Sequence, residues 1–260
     1  VCHDPRSLDY AHGVLPASAI QSVSWQRRAP ILDQGNLGSC TGNALTGVLG
    51  TDSKGRTAPT SVTVKADGKG VFAAGTYALD EGFAVKAYSL NTRLDSFSGT
   101  YPPTDTGSNG LSAAKTGVSL GLLSGYTHGF SIAALQSALQ SGPVLWGTLW
   151  LNSMFTTDSD GILKVDKSSG SAGGHELVIS GYDTASDLYE IQNSWGTSWG
   201  IDGYAYVKGA DMAYLLSQDG DITVPAYAAA PVPAPVADAD QVLYAAFTSW
   251  STAKGYVKGA

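Results

Sequence analysis

The run "SIAALQSALQSGP" (131–143) ends on Gly142 and Pro143, and the periodicity of the chain changes there. Upstream, apolar residues recur at helical spacing in several segments. Downstream, "PVLWGTLWL", "GILKVD", "HELVISGYD", "LYEIQNSWG" and "GYAYVKG" are short β-type runs cut by glycine and aspartate turns. Helices first and strands second predict an α+β fold of two lobes with a cleft between them, not alternating βαβ units. A length of 260 residues with 43% hydrophobic content allows a sizeable core without covalent staples.

Within the first half, "LDEGFAVKAYSLNTRLD" (79–95) places Phe83, Ala84, Ala87, Tyr88 and Leu94 on one helical face. "LSAAKTGVSLGLLS" (111–124) and "SIAALQSALQSG" (131–142) read as two more helices, the latter stopped by Gly142 and Pro143. "SVTVKADGKGVF" (61–72) alternates and carries an Asp-Gly turn, the pattern of a hairpin. "YPPTDTGSNG" (101–110) reads as a loop, and residues 1–30 as an extended lead-in. "AYAAAPVPAPVADAD" (226–240) reads as a semi-rigid Pro/Ala linker. Residues 241–260 read as a short tail with Leu243, Phe247 and Trp250 on one side, suited to a docking partner.

Net charge is −7, and the longest basic run is the pair Arg27 and Arg28, so nucleic acid is a poor candidate partner. No apolar stretch reaches the length of a membrane span, and "VCHDPRSLDY" lacks the profile of a signal peptide. The compartment stays open between cytoplasmic, virion-associated and processed secreted forms. Histidines at 3, 12, 128 and 175 form no zinc-type cluster; His3, His12 and His128 read as surface or loop residues. Asp80, Glu81 and Asp105 read as solvated carboxylates. Cys2 and Cys40 could form at most one bridge, for which spacing gives no support.

Cys40 closes the glycine-rich stretch "DQGNLGSC" (33–40), and Ala44, Leu45, Val48 and Leu49 follow at helical spacing. A helix starting at or near Cys40, with Ser39 as its N-cap, would lower the thiol pKa through the helix dipole. Gly47 and Gly50 weaken that helix or mark close packing. A nucleophilic thiol also needs a base, a group orienting the base and an oxyanion donor. His175 in "GGHELVISGYD", Asn193 in "NSWGTSWGIDGY" and the Gln34 amide are candidates for these roles.

These three stretches resemble the papain family of cysteine peptidases, in order and across residues 15–225. His175 lies 135 positions after Cys40 (175 − 40) and Asn193 lies 153 after it (193 − 40), near the roughly 130–150 expected of that family. The resemblance implies a papain-like peptidase domain over residues 1–225, with a helical lobe and a β-rich, barrel-like lobe. It implies a thiolate-imidazolium mechanism through an acyl-enzyme, with Cys40 as nucleophile, His175 as proton partner, Asn193 as orienter and Gln34 as oxyanion donor. Trp195 would shield the His175–Asn193 bond. Gly107, Ser108, Gly174 and Trp195 would meet a peptide or protein substrate, with no metal and no cofactor. The chain departs from the family at Thr41, where an aromatic residue is usual, and at Leu37, where a disulfide-bonded cysteine is common. The 104–110 loop lacks the usual cysteine and paired glycines, and residues 1–30 hold no counterpart of an inhibitory helical propeptide. Two other functions fit the same residues: transfer of the acyl group to an amine, as in a ligase, amidase or transpeptidase, and a binding module with an idle site.

Overall fold

The computed structural model describes residues 5–229. Cys2, His3 and the stretch beyond 229, with most of the expected linker and all of the tail, lie outside them. The chain divides into one unit of Val1–Ala228 and another of Ala229–Ala260, and the first carries every element below. The helices are α1 (Cys40–Leu49), α2 (Glu81–Asn91), α3 (Gly110–Ser119), α4 (Ile132–Leu139) and α5 (Gly209–Ser217). The strands are β1 (Val23–Ser24), β2 (Ser61–Val64), β3 (Gly75–Ala78), β4 (Leu123–Gly129), β5 (Val144–Leu151), β6 (Ser171–Asp183), β7 (Leu188–Gln192), β8 (Tyr204–Lys208) and β9 (Asp221–Tyr227).

The main sheet runs β4-β9-β5-β6-β7-β8, with β1 paired to β6, and all its pairings are antiparallel. Two hydrophobic clusters match the two-lobe expectation. One joins Leu45, Val48 and Leu49 of α1 to Phe83 and Leu90 of α2 and Ala113 of α3. The other joins Trp146, Leu177, Ile179 and Ile191 of the sheet to Leu135 of α4 and Leu215 of α5. α4 therefore belongs with the sheet although it precedes Pro143.

Side-chain caps set three helix starts. Asp80 accepts the Phe83 N–H at 3.0 Å, Asn109 accepts the Ser112 N–H at 2.9 Å, and Ser131 accepts the Ala134 N–H at 3.2 Å. Each cap is worth about 1 kcal/mol. Asp80 is thus a cap as well as a solvated carboxylate. α1 starts where expected, but the Ser39 side chain makes no cap bond; its hydroxyl accepts the Asn43 Nδ2–H at 3.1 Å. The glycines of α1 do mark close packing. A Cβ on Gly42 would lie 2.1 Å from the Ala84 carbonyl oxygen of α2, and one on Gly47 would lie 2.7 Å from Val178 Cγ2 of β6. α1 is thereby pressed between α2 and the sheet.

Other expectations shift. The helix expected over 111–124 ends at Ser119: Gly121 turns the chain at φ +76°, and Leu123 opens β4. The hairpin pairs 61–64 with 75–78, because the Asp67 carboxylate gathers the N–H groups of Lys69, Gly70, Val71 and Phe72 into a wider loop. "GILKVD" forms isolated bridges, Leu163 with Thr157 and Ile162 with Tyr206, rather than a strand. The lead-in is mostly irregular but holds two 3-10 turns, Pro5–Tyr10 and Ala17–Ala19, besides β1. β9 runs through Ala226 and Tyr227, so the first two residues of the expected linker belong to the sheet. No helix among the described residues is long and apolar enough to cross a membrane.

Candidate active site

The site forms where the N-terminus of α1 meets β6. Cys40 is half-buried as a residue, and the backbone N–H groups of Glu176, Thr41 and Cys40 itself lie close enough to its sulfur to favour the thiolate form. Glu176 follows His175 on β6, so the thiol sits against the peptide that joins them.

Hydrogen bonding decides the tautomer of His175. Asn193 Oδ1 accepts the Ser194 backbone N–H at 2.8 Å, which marks that atom as the oxygen. His175 Nε2 lies 2.7 Å from the same oxygen, so Nε2 carries the proton and donates it. Nδ1 is left with its lone pair, free to act as a base. The Trp195 ring stacks on the imidazole (centroids 4.9 Å apart, 26° between planes), and Trp150 meets it edge-on at 4.9 Å. Phe155 stacks in turn on Trp195 at 5.2 Å and 12°. This aromatic wall leaves His175 6% exposed.

Two backbone bonds tie the 32–38 loop to the loop after β7: Gln34 N–H to the Ser194 carbonyl at 2.9 Å, and Gly196 N–H to the Leu32 carbonyl at 2.9 Å. Ser194 Oγ–H also donates to Gln34 Oε1 at 2.6 Å, while Gln34 Nε2 donates to the Leu37 carbonyl at 2.9 Å. An amide nitrogen has two hydrogens, so one N–H of Gln34 stays available. Gln34, Gly174, His175 and Trp195 line a cleft of about 640 Å³, together with Trp150 and Phe155.

Cys40, Asn193, Gly107 and Ser108 are not among the residues lining this cleft. The Gly107 N–H donates to the Tyr88 hydroxyl at 3.0 Å, and the Ser108 hydroxyl donates to Asp95 at 2.7 Å. The donors expected to meet substrate are thus engaged by α2 and the segment that follows it.

Burial works against ionisation of both groups. Burial, then the nearby Glu176 carboxyl, push the Cys40 thiol up to about 12, against the pull of the three N–H groups. Burial lowers His175 to about 4, against the bond from Asn193. Desolvation outweighs the helix dipole because the dipole acts through a few N–H groups while burial removes the water shell. Glu176 is itself raised well above the carboxylate range, by burial and by Asp221. A Cβ on Gly147 would lie 2.5 Å from Asp221 Oδ1 and 3.0 Å from Glu176 Oε2, so both carboxyls flank that glycine.

Several residues around the site escaped the sequence reading. Trp150 and Phe155 lie outside the recognised motifs, while Ser194 and Glu176 fall inside them as bystanders. His128 is buried beside Thr223 and Asp221, not on the surface. Glu81 is not simply solvated: it accepts the Asp33 N–H at 3.1 Å and the Asn43 Nδ2–H at 3.2 Å. Among the described residues no group of three or more His, Cys, Asp or Glu is placed to hold a metal.

An antiparallel sheet joined to a helical lobe, with a cysteine opening a helix and a His–Asn pair across from it, defines a papain-like hydrolase architecture. The description "Papain family cysteine protease" matches residues 73–219, more than half of the chain, and the chain belongs to that family. Cathepsin O of Homo sapiens is 54% identical over 50 residues, covering 18% of this chain and 15% of that protein. The gamete and mating-type specific protein A of Dictyostelium discoideum is 36% identical over 88 residues, covering 34% of this chain and 19% of that one. These matches span under a fifth of either relative. Among solved structures, xylellain, a cysteine protease from Xylella fastidiosa, superposes with a TM-score of 0.65 at 17% identity, covering 87% of this chain and 94% of that one. The Carica candamarcensis cysteine protease CMS1MS2 superposes at 0.51 with 17% identity, covering 83% and 100%. These two establish the fold.

Proposed function

We propose that the chain is a cysteine endopeptidase that cleaves peptide or protein substrates at Cys40 through an acyl-enzyme. The observation that carries this reading is the His175 tautomer: Nε2–H is committed to Asn193, leaving Nδ1 as the base. As the Cys40 sulfur attacks the substrate carbonyl carbon, its proton passes to Nδ1. The carbonyl electrons move onto oxygen, which receives the spare Gln34 Nε2–H and the Cys40 backbone N–H. Collapse breaks the C–N bond, and Nδ1–H protonates the departing amine. Water then gives a proton to Nδ1 and attacks the thioester, and the sulfur leaves and is reprotonated. The charge separation formed in the first step is supported by the N–H groups that face the sulfur. Gly174 and Trp195 are the substrate-facing residues favoured by the cleft lining. Gly107 and Ser108 would contribute through their loop, not through the two donors already engaged.

The test is cleavage of a casein-like mixture by the wild type and by Cys40→Ala, with and without a thiol-directed inactivator. Wild-type cleavage lost on either treatment is the expected result. A folded wild type that cleaves nothing, or a Cys40→Ala variant that still cleaves, defeats the reading.

A further inference from the structure

Asp105 lies in a surface loop and reads from sequence as a solvated carboxylate, yet both its oxygens are engaged. Oδ2 accepts the Gly38 N–H at 2.9 Å, and Oδ1 accepts the Tyr88 hydroxyl at 2.5 Å. The Gly38 N–H belongs to the same peptide group as the Leu37 carbonyl, and that carbonyl accepts Gln34 Nε2 at 2.9 Å. A hydrogen-bonded line thus runs from the Asp105 carboxylate through one peptide to the Gln34 amide. A charge at one end of such a line polarises the peptide and strengthens the bond at the other.

The other end of the carboxylate is anchored to a rigid support. Tyr88 is fully buried on α2, and its hydroxyl also accepts the Gly107 N–H. A Cβ on Gly42 of α1 would lie 2.7 Å from the Tyr88 backbone nitrogen, so α2 has no room to move toward α1. A Cβ on Gly38 would lie 2.6 Å from Asp105 Oδ1, so the bare backbone at this position is what lets the carboxylate reach.

We propose that Asp105 is a positioning residue for the reaction: acting through the Leu37–Gly38 peptide, it holds the Gln34 amide in place and clasps the 34–40 loop to α2. The proposal rests on the reading of Gln34 as oxyanion donor, and its test separates the two.

The experiment is a double-mutant cycle of Asp105→Ala and Gln34→Ala, with kcat and KM measured for each variant and folding checked by thermal unfolding. Asp105→Ala should lower kcat by about tenfold in the wild-type background and by less than about twofold once Gln34 is alanine, because residues acting as one unit are non-additive. An equal loss in both backgrounds, or no loss in the first, overturns the proposal. Asp105→Asn keeps the size of the side chain and removes its charge; it should follow the same background-dependent pattern and serves if the alanine variant does not fold. Amide hydrogen exchange at Gly38 reads the clasp without activity, and Asp105→Ala should accelerate it about tenfold or more. Accelerated exchange in a protein without Cys40-dependent cleavage would sink the reading of the site and keep the clasp. Unchanged exchange with cleavage intact would sink the clasp and keep the site.

Discussion

The Ser194 hydroxyl donates to Gln34 Oε1 at 2.6 Å, and the Gln34 backbone N–H donates to the Ser194 carbonyl at 2.9 Å. Two residues far apart in sequence are thereby held by both side chain and backbone. The loop carrying Gln34 and the loop carrying Asn193 are thereby fastened to each other.

Gln34→Ala should lower kcat by about 10²-fold, the worth of one preorganised oxyanion donor. Ser194→Ala leaves the donor present but loosens it, so a smaller loss of about tenfold is expected. Thermal unfolding should show both variants folded. Steady-state kinetics that give Gln34→Ala a wild-type kcat would show that its amide faces away from the reacting oxygen.

His175 ties stability to pH. Its folded value near 4 lies below the ordinary 6.5, so the fold favours the neutral ring. That contribution is present above pH 6.5 and is lost as pH falls through 4; over that window it amounts to about 3 kcal/mol at most. Thermal unfolding across pH 4–7 should show the wild type losing more stability toward acid than His175→Gln. Parallel curves for the two proteins would mean that His175 is not held neutral by burial.

The Glu176 carboxyl lies near enough to Cys40 for its ionised form to oppose the thiolate. Glu176→Gln should therefore move the alkylation profile of Cys40 to lower pH. Haloacetamide labelling read by peptide mass spectrometry measures this, with Cys2 in the same sample as reference. An unmoved Cys40 profile in the folded variant would rule out Glu176 as a cause of the raised thiol value.

Tyr227, the last residue of β9, donates its hydroxyl to the Val48 carbonyl of α1 at 2.9 Å, and Arg56 lies 4.1 Å over its ring. Truncation after residue 229 should leave small-peptide cleavage within about twofold, since it spares the sheet. Truncation after residue 225 removes Tyr227 and should cost about 1–3 kcal/mol. Denaturant unfolding and peptide kinetics on the two truncations would expose an error if the shorter cut alone abolished cleavage.

Much of the site could be read from the chain because its chemistry is encoded locally. Cys40 opens α1 as the apolar spacing over 44–49 requires, and β5 through β8 fall on the runs that alternate or stay apolar. Gln34, His175 and Asn193 stood in motifs whose resemblance to the papain family implied their roles, and the fold bonds His175 to Asn193 and brings Gln34 to the same cleft as His175. What sequence could not supply was the partner of each group. Asp105 sits in a polar loop like any solvated aspartate, and only the folded chain brings it to Gly38. Glu176 is one residue from His175 but points to the other face of β6, where Asp221 arrives from a strand 45 positions later (221 − 176). Helix starts and turns follow from interactions within a few residues, so the sequence by itself determined many of them. Burial, and with it the direction in which the Cys40 and His175 pKa values shift, depends on how water is excluded by segments distant in the chain, and that was decided only when the two lobes packed together.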